Sequence, residues 1–179
     1  MKKLLSVISA MAVMLAMGGC ESKEAEQVSE TVAETVQSEK LTFEDVNVIE
    51  INGRSVSLPF KVEELGEGYS IEEVQGYNER VPAIYYNNQC LAVIENYNGN
   101  DITSLTFTSD SFEHNSVEIC NLSSSDNFQK IIDTVGEPSR QKELALIYEF
   151  DNGELYFGSE DGSSGFNYVE IELYDNSEQ

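Results

Sequence analysis

Tyr168-Val169-Glu170-Ile171-Glu172-Leu173-Tyr174, close to the end of a 179-residue chain, alternates polar and apolar side chains without a break. A β-strand turns successive side chains to opposite faces, so Val169, Ile171 and Leu173 require a buried surface while Tyr168, Glu170, Glu172 and Tyr174 stay wet. Upstream, Glu154–Gly158 and Leu144–Phe150 read as two more strands, joined tightly by Asp151-Asn152-Gly153. Before them Phe128, Ile131, Ile132 and Val135 fall at i, i+3, i+4 and i+7, one face of a helix. A serine of 123–125 or Asp126 supplies its N-cap, Gly136 its left-handed C-terminal position, and Pro138 prevents continuation. That helix is the natural cover for the dry face of the three strands, which makes an α+β unit.

The first half carries weaker signals of the same kind. Val46–Ile51 and Arg54–Leu58 flank Asn52-Gly53, the strongest short hairpin signal because both turn residues take positive φ. Pro59 ends the second strand, and Lys61–Leu65 reads as a short helix closed by Gly66 and Gly68. Strands are expected at Ala83–Tyr86, Gln89–Glu95, Ile102–Thr108 and Val117–Ile119, with Asn87-Asn88 and Asn98-Gly99-Asn100 as turns. The fold class expected is therefore α+β: antiparallel sheets with short covering helices, ending in a C-terminal helix and three-stranded meander. Each half pairs a short helix at a Gly or Pro stop with strands on Asn or Gly turns. That loose echo fits two tandem related units, a β-rich one over 41–112 and a helix-plus-meander one over 113–179.

The N-terminus has a different texture. Met1-Lys2-Lys3, an apolar run of 14 residues from Leu4 to Met17, and Gly18-Gly19-Cys20 are the parts of a secretory signal. As a helix the run spans ~21 Å, short of the ~30 Å hydrocarbon core, and Glu21-Ser22-Lys23-Glu24 behind it is no stop-transfer cluster. Met17-Gly18-Gly19-Cys20 resembles the lipobox of bacterial lipoproteins, in which Leu is preferred where Met17 stands. The resemblance implies cleavage after residue 19 and lipidation of Cys20 with diacylglycerol, more than one acyl chain being needed for stable anchoring. Residues 20–40 then form an acidic tether, with six Glu, two Lys and no aromatic residue. Such a chain holds the body roughly 25 Å from the membrane. The expected location is the cell membrane, lipid-anchored and facing the extracytoplasmic side.

Ten Lys and Arg against 33 Asp and Glu give a net charge of −23, and loss of Lys2 and Lys3 with the signal makes it −25. This excludes nucleic acid, which needs basic patches, and disfavours lying flat on anionic lipid. It favours solubility and, weakly, a cationic partner or divalent cations. Cys90 and Cys120 occupy strand-like segments of an exported chain, so a disulfide between them and two buried free thiols both stay open.

Ile49–Phe60, with Val62, Leu65, Gly68 and Tyr69, resembles the opening of uncharacterised lipoproteins from Gram-positive bacteria: strand, Asn-Gly turn, strand ending in Leu-Pro, short helix. Ile131-Ile132-Asp133-Thr134-Val135-Gly136-Glu137-Pro138-Ser139, followed by Tyr148, Phe150 and Leu155–Phe157, resembles their C-terminal half. That pattern is also similar to the β-lactamase inhibitor protein and BamE-like folds. The resemblance covers about residues 46–174 and rests on turn glycines, a helix-ending proline and core positions. It implies binding or assembly rather than a chemistry. Because the inhibitor proteins bind through an aromatic-rich concave sheet, it also implies a partner face bearing Tyr148, Tyr156, Tyr168 and Tyr174. The plainer reading of each is a half-buried sheet tyrosine with a wet hydroxyl.

No catalytic set can be read. His114 is the single histidine; Cys90 or Cys120 is its formal thiol partner, but Cys90 lies in the apolar run Cys90–Ile94, a place for packing. The acidic pairs Glu63-Glu64, Glu72-Glu73 and Glu160-Asp161 lack a defined separation, and Asp151–Glu154 and Glu160–Gly162 lack calcium-loop spacing. No enzyme activity, cofactor or metal is expected. The function expected is a membrane-anchored, non-enzymatic protein- or peptide-binding module. The alternative is a cation- or small-ligand-binding lipoprotein, with an envelope hydrolase third.

Overall fold

The structure, a computed structural model, describes residues 41–76, 79–161 and 163–174. The signal over 1–19, Cys20 and the tether to residue 40 lie outside the described residues.

Chain entry is set by α1 (Phe43–Val46), whose N-cap Thr42 and Asp45 bond each other: the Asp45 carboxylate accepts from Thr42 N and Oγ1, both at 2.8 Å. β1 (Ile49–Ile51) and β2 (Arg54–Val56) form the hairpin on Asn52-Gly53, with φ of +50° and +77°. A 3-10 turn over Val62–Leu65 ends at Gly66, and β3 (Tyr69–Gln75), β4 (Arg80–Tyr86), β5 (Gln89–Asn98) and β6 (Asp101–Phe107) follow as an antiparallel meander. After α2 (Ser109–His114), β7 (Val117–Ile119) and β8 (Leu122–Ser123) fold over Cys120-Asn121, a second left-handed pair at +56° and +61°. Then come α3 (Phe128–Val135), β9 (Arg140–Lys142), β10 (Ala145–Phe150), β11 (Gly153–Gly158) and β12 (Tyr168–Leu173).

These strands make two antiparallel sheets. The small one has the order β2-β1-β7-β8 and the large one β3-β4-β5-β6-β12-β11-β10-β9. The inner face of the large sheet carries Ile84, Ile94, Leu105, Phe107, Leu146, Leu155, Phe157, Val169 and Ile171. They share one buried cluster with Ile49, Ile51, Val117 and Ile119 of the small sheet and with Phe128, Ile131 and Val135 of α3. Burial of this kind contributes about 1.5–3 kcal/mol for each large apolar side chain. Close contacts fix the layers: a Cβ on Gly153 would lie 2.6 Å from the Phe43 ring, and Phe43 meets Phe150 edge-on at 5.8 Å. Asn52 ties the hairpin to the α2–β7 joint, donating to the Tyr69 hydroxyl and to Asn115 Oδ1 (3.2 Å each) and accepting from Ser116 N (3.0 Å).

The α+β class is corrected by this arrangement. The body is mostly β, two antiparallel sheets with three short α-helices among the described residues. β6 pairs with β12 from Phe107↔Val169 to Ser104↔Glu172, which joins the strands of 41–112 and of 113–179 into one sheet. The physical reason lies in open edges. A three-stranded meander would leave the β12 edge unpaired, and the β3–β6 meander has the same need on its β6 side. Helix α3 spans the expected stripe, but its N-cap is Asn127, whose side chain accepts from Lys130 N at 3.0 Å. Asp126 instead turns back to Ser123 N at 2.8 Å. No described helix is long and apolar enough to cross a membrane.

Candidate functional site on the outer face of the large sheet

The inner face is filled, and on the other face register builds cross-strand rows. One row runs Glu149, Glu154, Glu172, Ser104, Asn96 across β10, β11, β12, β6 and β5. The next runs Ile147, Tyr156, Glu170, Thr106, Val93, and beside it Gly158 pairs with Tyr168. Neighbouring residues in a row stand on strands about 4.8 Å apart.

Tyr156 and Tyr168 meet edge-to-face with centroids 5.5 Å apart. They lie down over Gly158, whose missing side chain gives them room: a Cβ there would sit 3.1 Å from the Tyr156 ring and 3.2 Å from Tyr168 Cβ. The Tyr168 hydroxyl donates to the Glu170 carboxylate at 3.1 Å, and Thr106 Oγ1 donates to Glu95 at 3.3 Å. Asn96 Nδ2 donates to Glu172 at 3.1 Å, directly across the row from Ser104. Burial pushes the Glu170 carboxyl up; the Tyr168 hydrogen bond opposes this, and the neighbouring Glu95, Glu172 and Glu154 reinforce it. Glu154 and Glu172 are directly opposite, a like-charge pairing that costs stability. From β9, Arg140 reaches Glu149 at 2.7 Å and Glu154 at 3.6 Å. Among the described residues no cation pairs with Glu95, Glu170 or Glu172.

Pairing between β6 and β12 ends at Ser104↔Glu172, because the next stretch of β6 takes Phe60 at Ile102 instead. The strands splay, and the opening is a cleft of about 240 Å³ lined by Asn96, Tyr97, Thr103, Glu172 and Tyr174. Tyr97 and Tyr174 are its exposed walls, at 41% and 38%. Between Glu172 and Asn96, two residues of its lining, Ser104 Oγ is buried and has no hydrogen-bond partner among the described residues.

Of the four tyrosines expected on one face, the structure brings Tyr156 and Tyr168 together and sets Tyr174 at the cleft. Tyr148 is corrected: it is on the inner face, 3% exposed, with its hydroxyl donating to the Gly136 carbonyl at 3.1 Å. Burial pushes its hydroxyl well above the usual phenol range. Tyr97, Glu95, Asn96 and Ser104 were not read as site residues, since the bulges at Ile94–Asn96 and Asn96–Tyr97 that place them leave no mark in the alternation.

Cys90 in β5 and Cys120 in the β7–β8 turn are free thiols in different sheets. Cys120 Sγ donates to the Val46 carbonyl at 2.7 Å, and burial pushes its thiol up to about 12, so it is inert. No group of three or more His, Cys, Asp or Glu among the described residues is disposed to hold a metal ion. A separate cleft of about 300 Å³ lies between α2 and the 159–167 loop, with Phe112, Glu113, Ser124, Glu160 and Phe166 in its lining. Comparison with family models, with curated proteins and with solved structures gives no match to this chain.

Proposed function

We propose that the chain is a lipid-anchored lipoprotein on the extracytoplasmic side of the cell membrane, whose β body is a non-enzymatic protein- or peptide-binding module. The observation that carries the binding role is the outer face of the large sheet. It combines a tyrosine pair, a cleft walled by two exposed tyrosines, and three carboxylates that pair with no cation among the described residues. Aromatic rings give contact area at low entropy cost, and unneutralised carboxylates give charge for a partner to meet. The anchor and location rest on the sequence, through the signal and Cys20.

The experiment places a photo-crosslinking residue at Tyr156 of the membrane-bound protein, with Glu118 on the small sheet as control. A defined adduct at Tyr156 and none at Glu118 is the expected result; equal labelling at both positions would sink the binding role of this face. For the anchor, Cys20→Ser should release the folded protein from the membrane fraction, and retention there would overturn it.

The cleft between α2 and the 159–167 loop favours a second reading, a small-ligand site. Its floor is the Phe112–Phe166 edge-on pair at 5.5 Å, and Glu113 and Glu160 stand at its rim. Calcium, the simplest candidate, should then raise the melting temperature, and no shift would dispose of that form.

A further inference from the structure

The β6–β12 splay is more specific than a wet sheet face requires, and we propose that it seats a lysine or arginine side chain from a cationic segment of a partner protein. This rests on the binding-module reading above and names the chemistry of the partner. Four independent features converge on the spot. Glu172 borders the cleft, Glu170 and Glu95 stand on adjoining positions of the same face, and none of the three meets a cation among the described residues. Tyr97 and Tyr174 wall the opening with exposed rings, the surfaces over which an ammonium or guanidinium is held by the ring quadrupole.

Ser104 is the third feature. Its hydroxyl is 1% exposed by residue, unpartnered, and lies between Asn96 and Glu172 in the cross-strand row, beneath their 3.1 Å hydrogen bond. A buried hydroxyl with no partner costs free energy, so its place between two lining residues of the cleft makes it an acceptor for an incoming N–H once the Asn96–Glu172 contact opens. The fourth is spacing. Glu170 and Glu172 stand two residues apart along β12 and Glu95 lies on β5, so the carboxylates are spread over the face, and no set among the described residues is disposed for a metal ion. Charges arranged that way match successive cationic side chains along a peptide, with one residue in the cleft and the next over Glu170 and Tyr168. The bridge from Arg140 to Glu149 and Glu154 shows the chemistry already satisfied, within this chain, at the other end of the same row.

The test is calorimetric titration of the full chain with pentalysine. Saturable binding is expected, weakened about tenfold or more in Glu170→Gln/Glu172→Gln, and less than about twofold in Glu50→Gln/Glu118→Gln, which removes the same charge from the small sheet. Ser104→Ala should weaken binding severalfold while its melting temperature stays level or rises, a combination that a purely structural role would not give. Equal weakening by the two double variants would overturn the proposal, because it would mean only attraction to an acidic molecule. So would spermidine binding with the same strength and the same dependence on Glu172, since the occupant would then be a small amine. If pentalysine fails but Tyr156 still crosslinks a partner, the cleft assignment falls and the binding module stands; if Tyr156 crosslinks nothing, the broader reading falls first.

Discussion

Glu170 lies half-buried between Tyr156 and Thr106, with three other glutamates around it. Its folded pKa is raised above the unfolded value, so keeping it ionised at neutral pH opposes folding, and this cost is relieved as pH falls through the raised value. Glu170→Gln should therefore raise the melting temperature at pH 7, with the gain shrinking as pH falls into the acid range where the wild-type carboxyl takes up its proton. Thermal scans of both proteins from neutral pH into the acid range check this, and a gain unchanged by pH would refute it. The tyrosines separate by face in the same manner. Tyr148→Phe removes a buried hydrogen bond to Gly136 and should cost about 1 kcal/mol, whereas Tyr156→Phe should stay within about 0.5 kcal/mol in urea unfolding. The inward turn of Tyr148 was legible, because Glu149 beside it must face water and fixes the phase of β10. Ser104 was not legible: a serine in a strand says nothing of whether its hydroxyl finds a partner until the neighbouring strands are in register.

At the scale of elements, turns carry most of the information and edges the least. Gly99 has φ +65° and open space where a Cβ would go, whereas the Cβ of Gly153 would strike the Phe43 ring and the Glu172 carbonyl at 2.6 Å. Gly99→Ala should thus cost about 1–2 kcal/mol through the backbone alone, and Gly99→Asn should recover much of it, since Asn tolerates the left-handed region. Gly153→Ala should cost about 1–3 kcal/mol through overpacking, and Gly153→Asn should be worse still. Denaturant midpoints for the four variants separate the two causes; recovery by Asn at both positions would contradict it. The turns Asn52-Gly53 and Asn87-Asn88 announce themselves because few residues accept positive φ. β3 does not, since Tyr69–Gln75 is an edge strand, mostly exposed, and its Ile71 and Val74 follow no period-two pattern. The charged and polar side chains that hide it from sequence reading also protect the edge from pairing with other chains.

For the whole molecule, the β6–β12 seam has a mechanical consequence. Strands from both sides of residue 112 share one sheet and one buried cluster, so equilibrium unfolding of residues 41–174 should be a single cooperative transition. Amide exchange should give comparable protection to Leu105 in β6 and Ile171 in β12, and neither 41–112 nor 113–179 should fold when expressed alone. A stable, protected half would refute the seam as the centre of the fold. What depends on neighbours along the chain is written in the sequence: the signal features before Cys20, the acid excess, the helix over Phe128–Val135, the left-handed turns, and the two-faced strand from Tyr168 to Leu173. Only the tertiary structure decided which strand lies beside that one. Pairing partners are chosen by edges and buried faces distant in the sequence, where local periodicity carries no signal. The choice of β6 joins strands of both halves into one sheet of a mostly β body, and puts Glu172 next to Ser104 and beside an open cleft.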